Sequence, residues 1–98
     1  YIPNKMSHSI SVVDVHNASV QATIRGDGIA QPHGAVLSSD GRHLFVSNNN
    51  REGTYEPSGE NGAVTVIDTE THEIVKVIEV GPYPTGVGTF GGAQAMTP

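Results

Sequence analysis

The sequence predicts an all-β chain built from repeated four-stranded antiparallel units, and three observations predict it. First, the chain repeats itself. Tyr1-Ile2-Pro3-Asn4 returns as Phe45-Val46-Ser47-Asn48, Ser11-Val12-Val13-Asp14 as Thr65-Val66-Ile67-Asp68, and Pro32-His33-Gly34 as Pro84-Thr85-Gly86, at offsets of 44, 54 and 52 residues. Second, 12 Gly and 6 Pro cut the 98 residues into short pieces, none of which holds a helical period for three turns. Third, Val12-Val13 and Val66-Ile67 place apolar side chains on both faces of one strand. A sheet with one wet face would alternate more cleanly. A unit of about forty residues plus a loop points to a solenoid, propeller or array. Sheets stacked on both sides, as propeller blades are, need two apolar faces.

Each element follows from local chemistry. Residues 10–15 alternate Ile10 and Val12 against Ser11 and Val13 and end at a polar turn, and residues 64–68 repeat the pattern. Residues 20–24 and 74–78 read as the partner strands beyond short turns. Asp14 and Asp68 suit those turns, because an Asp carboxylate accepts from backbone amides just ahead of it. Residues 34–38 and 86–90 are small, Gly-rich strands after a Pro, and Ser39-Asp40-Gly41-Arg42 is a hairpin turn into a strand at 43–48. The expected core is Val12, Val13, Val66 and Ile67 on both strand faces, with Ile24 and Ile78 at least partly buried.

The tetrapeptides at Tyr1 and Phe45 resemble the one that names the YVTN β-propeller repeats. The Pro-[His/Thr]-Gly start, the Ser-Asp-Gly turn and the Val-[Val/Ile]-Asp strand are similar too, and the resemblance covers nearly the whole chain, twice. It implies a β-propeller segment of four-stranded antiparallel blades. The Pro-[His/Thr]-Gly strand would be innermost, the YVTN-like strand second and the Val-Asp strand third. On that ordering residues 1–25 are the second to fourth strands of one blade, and 26–80 are a complete blade with a hairpin-loop insertion at 49–62. Residues 81–98 are then the first strand of the next blade and a tail. Two blades' worth of strands do not close a ring of the usual 4–8 blades. The expected partners are therefore further blades, from the same chain or from identical copies. The resemblance also implies an extracytoplasmic location, periplasmic or at the cell surface.

Composition narrows the partners. Five Lys and Arg stand against ten Asp and Glu, for a net charge of −5, which argues against nucleic acid and polybasic membrane docking. No apolar run reaches the ~18 residues of a membrane span. The absence of Cys removes disulfide frameworks, zinc ribbons and thiol nucleophiles. The chain starts at Tyr1, and the expectation is a segment of something longer.

Candidate ligand-binding residues lie in two places. The insertion at 49–62 brings Arg51 and Tyr55, with the carboxylates of Glu52, Glu56 and Glu60; the alternative there is a solvated hairpin extension. Gln31 and His33 flank Pro32 at the start of an expected innermost strand, where the resemblance implies a channel-facing position. An imidazole there suits a metal, a haem or base chemistry, and equally a bond to a neighbouring backbone group, since Thr85 takes its place in the other unit. Gly86-Val87-Gly88-Thr89-Phe90-Gly91 fits G-x-G-x-x-G, but neither a following helix nor a later acidic residue supports a dinucleotide site. No Ser-His-Asp or Cys-His arrangement can be assembled, so catalytic residues and metal ligands are assigned to none. The reading is a binding or interaction scaffold for a protein or small-molecule ligand, with the cofactor left open. The alternative is the propeller part of a nitrite or nitrous oxide reductase-like or quinoprotein dehydrogenase-like oxidoreductase, or of a lactonase-like hydrolase.

Overall fold

A computed structural model describes residues 1–53 and 61–88 of the chain. The chain is all-β, a β-propeller segment of antiparallel blades. Strands β1 (Ile2–Asn4), β2 (Ser9–Asp14) and β3 (Ser19–Ile24) form one sheet, with a single 3₁₀ turn at Lys5–Ser7. Strands β4 (Pro32–Leu37), β5 (His43–Asn48), β6 (Asn61–Asp68) and β7 (Ile74–Pro82) form a second, four-stranded meander. Within each sheet neighbours in sequence pair, as a short-looped antiparallel blade requires.

The repeat extends to register and to backbone torsions. Ile10 pairs with Ile24 in the first sheet and Val64 with Ile78 in the second, all displaced by the same 54 residues. Both third strands carry a bulge at the same place, between Val12 and Val13 and between Val66 and Ile67. Ala18 and His72 hold the following turns in the left-handed region, at φ 52° and 62°. Gln31 and Tyr83, each immediately before a proline, do the same at φ 53° and 54°. Left-handed backbone is costly for a residue with a Cβ, so its recurrence marks one blade geometry imposed twice.

The core lies between the two sheets. Ile10, Val12 and Ile24 of the first meet Leu44, Val46 and Ile67 of the second, with Ile29 from the β3–β4 linker between them. Alternation along β5 sends Leu44, Val46 and Asn48 towards this seam and Phe45 and Ser47 away from it.

Equivalent positions on the outer faces are less covered, which corrects part of the expected core. Ile24 is 5 % exposed, whereas Ile78, its equivalent, is 42 % exposed. Ile67 is fully buried but its equivalent Val13 is only half-buried, and Ile10 is buried while Val64 is half-buried. The residue type is right at each place; the face lacks a neighbouring sheet. Val66 stays buried because Phe45 and Lys76 flank it across the ladder.

Boundaries differ at three places. Asn61 and Gly62 belong to β6 rather than to the insertion, β7 runs on to Pro82, and residues 86–88 of the expected strand at 86–90 pair in no ladder. Thr89 and Phe90 lie outside the described residues. A strand exists only where a partner takes up its amides, and among the described residues none does so for residues 86–88.

Candidate binding site

One end of the blade gathers Gln31, His33, Arg51 and Glu52; of the other polar groups named in the insertion, Tyr55, Glu56 and Glu60 lie outside the described residues. This end comprises the start of β4, the end of β5 with Asn49 and Asn50, the start of β6 and the segment after β7. Asn48, Asn49 and Asn50 are all buried here, at most 1 % exposed. Three buried amides in succession require partners, and the structure supplies nearly all of them.

Asn48 is the hub. Its Nδ2 donates to Thr65 Oγ1 (2.8 Å), Val46 O (3.2 Å) and Ala63 O (3.3 Å), and its Oδ1 accepts from Ala30 N (3.1 Å). Thr65 Oγ1 in turn donates to Gly28 O at 2.6 Å. Asn4, its equivalent, donates from Nδ2 to Ser11 Oγ (2.8 Å) and Ser9 Oγ (3.3 Å). The fourth residue of the repeated tetrapeptide is thus a structural lock between second and third strands, not a ligand group.

Close approach of backbones completes this end. Ser47 Oγ donates to Thr85 O (2.6 Å) and Asn49 Nδ2 to Pro84 O (3.2 Å), which holds residues 84–85 against the blade. A Cβ on Gly62 would collide with Asn48 O and the Pro84 ring, so the β5–β6 contact admits no side chain there. Asn49 Oδ1 is buried and accepts no hydrogen bond from the described residues.

Gln31 is buried and fully engaged along its backbone. Its N–H donates to His8 Nδ1 (3.0 Å), its carbonyl accepts from Asn49 N (2.9 Å), and its Oε1 accepts from Glu52 N (2.8 Å). Because His8 Nδ1 accepts, the ring proton sits on Nε2, facing Glu52 Oε1 at 3.0 Å. From the sequence His8 is assigned no role. The signal was present: His8 and Glu52 are 44 residues apart, the offset of the tetrapeptides, so they occupy corresponding loops of adjacent blades.

Arg51 lies with its guanidinium carbon 4.6 Å from the Tyr83 ring centroid, a cation–π contact that ties the insertion to the second left-handed corner. His33 is exposed at the β4 bulge between Pro32 and Gly34. The structure therefore brings Gln31, His33 and Arg51 to one end of the blade; Tyr55 lies outside the described residues. No group of three His, Cys, Asp or Glu side chains capable of holding a metal occurs among the described residues.

The opposite end is built from Asp turns. Asp14 accepts from His16 N and Asn17 N, Asp68 from Glu70 N and Thr71 N, and Asp40 from Ser38 Oγ and Arg42 N. These bonds hold all three carboxyls below the usual carboxylate range, led by the Asn17 amide at Asp14, the Ser38 hydroxyl at Asp40 and the Thr71 amide at Asp68. A shallow depression of about 50 Å³ there is lined by Arg42, Asp68, Thr69 and Glu70. It would hold little more than water.

The fold and the paired polar ends define the class, a segment of a β-propeller. No protein-family model matches the chain. Over 91 residues it is 33 % identical to Antigen Lp49 of Leptospira interrogans, covering 89 % of this chain and 20 % of that protein. In structure it is similar to a chain of Kuenenia stuttgartiensis hydrazine synthase, with a TM-score of 0.67 and 26 % identity, covering 85 % of this chain and 20 % of that one. The chain thus spans about a fifth of each protein that it resembles.

Proposed function

We propose that the chain is a YVTN-like segment of a larger β-propeller and acts as a binding or interaction scaffold. The observation that carries this reading is the difference between equivalent faces. Ile10 and Ile24 are buried where a second sheet covers them, while Val64 and Ile78 remain open on a face of the same design. Further blades, from the same polypeptide or another, are the partners such faces fit. The polar end supports a binding role, since hydrogen bonding of Gln31 and Asn48–Asn50 presents His33 and Arg51 from a fixed base. An extracytoplasmic location accords with the family resemblance and with similarity to a protein named an antigen.

Similarity to a hydrazine synthase favours a second reading, a structural part of a cofactor-dependent oxidoreductase. Among the described residues no three His, Cys, Asp or Glu side chains gather as a protein-held metal needs, and both ring nitrogens of His8 are engaged; His33 is exposed. A visible absorption spectrum and metal analysis of the protein from its source separate the two. A featureless, metal-free preparation is expected of the scaffold, and bound haem, copper or quinone would replace that reading with the oxidoreductase one.

A further inference from the structure

The seam between the two sheets is a template for what the outer faces require. It is closed by the β3–β4 linker, in which Ile29 and Ala30 are buried. Ala30 N donates to Asn48 Oδ1, and Gly28 O accepts from Thr65 Oγ1. The outer face of the first sheet repeats the receiving half of this arrangement. Asn4 Nδ2 donates to Ser11 Oγ at 2.8 Å, as Asn48 Nδ2 does to Thr65 Oγ1 at 2.8 Å, but among the described residues nothing donates to Asn4 Oδ1.

The supplying half is altered in the second unit. The left-handed corners at Gln31-Pro32 and Tyr83-Pro84 align the two linkers, and β4 begins beside β1 as Thr85 sits beside β5. Counting back from these corners, Pro82 and Gly81, at the end of β7, take the sequence places of Ala30 and Ile29. Proline has no N–H to give, and glycine has no side chain to fill the seam. A second copy stacked head to tail would leave Asn4 Oδ1 uncapped and a void in place of the Ile29 side chain.

We propose that the outer face carrying Asn4 and Ser11 docks a sheet of unlike sequence, whose linker supplies a branched apolar side chain followed by a free backbone N–H. The same chemistry bars this chain from closing a ring with copies of itself. The inference rests on the propeller reading above and narrows its partners to non-identical blades.

Sedimentation velocity over a concentration range tests it, with the wild-type 98-residue chain beside Gly81→Ile/Pro82→Ala. The wild type is expected to form no discrete closed oligomer, and the double variant to self-associate about tenfold more tightly, for one recovered hydrogen bond and a filled seam. A wild-type ring weakened by Asn4→Ala would overturn the inference, as would a double variant that associates no better than the wild type. Ile29→Gly/Ala30→Pro places the altered linker in the chain's own seam. A clearly lowered melting temperature or loss of the fold supports the inference, and an unchanged melt counts against it. A ring of copies would leave the propeller reading standing; that reading fails on a different readout, the exposure of Ile78 in the native protein.

Discussion

Asn48 and Asn4 occupy the same place in the repeat but differ in what surrounds them, and the difference sets their energetic weight. Asn48 is buried and joined to β5, β6 and the β3–β4 linker, so Asn48→Ala leaves Ala30 N–H without its acceptor and Thr65 without its donor. Thermal or urea unfolding is expected to show a loss of about 2–4 kcal/mol. Asn4 is only half-buried, and Asn4→Ala should cost below ~1 kcal/mol in the same assay. Apolar residues behave alike. Ile67→Ala, in the seam, should cost about 2–5 kcal/mol, and Ile78→Ala, on the open face, below ~1 kcal/mol. Equal costs at Ile67 and Ile78 would mean that the outer face is covered within this chain.

Turns carry the pH dependence and the stored strain. Asp14, Asp40 and Asp68 are held below their ordinary value of 3.8 by amides and a hydroxyl that the folded turns supply. A depressed folded value means that the stabilisation is fully present above 3.8 and is lost as the pH falls through the lowered values. The melting temperature is therefore expected to fall with pH below 3.8, less steeply in Asp14→Ala/Asp68→Ala, whose melt at neutral pH is already lower. Ala18 sits exposed at φ 52°, so Ala18→Gly should stabilise the chain by about 0.5–1 kcal/mol. These Asp turns were legible in the sequence, because the carboxylate acts on amides two and three residues ahead. The left-handed corners at Gln31 and Tyr83 were not, since a residue before proline favours extended backbone and tertiary contacts impose this one.

At the scale of the molecule, the repeat offsets revealed the two sheets, their strand equivalences and the two-faced third strands. They did not reveal which face would be covered, because Ile24 and Ile78 carry the same side chain in the same register. Burial there is a property of the neighbouring sheet. The polar end was legible in part: Gln31 and Arg51 are there, but Gln31 is committed to His8, Asn49 and Glu52, and Arg51 to Tyr83. Sequence chemistry marks a group as capable of binding; only packing shows whether the protein already uses it. As a propeller segment, the chain requires further sheets over its outer faces. These 98 residues hold no cysteine, so Ile78→Cys gives the isolated chain a single reporter thiol, and peptide mapping follows the same thiol in the full protein. The most direct measurement is its rate of alkylation in the isolated 98-residue chain and in the full protein from its source. At least about tenfold slower labelling in the full protein is predicted, as the thiol passes from an exposed face into a packed seam. Equal rates would show that no sheet covers that face and would contradict the account.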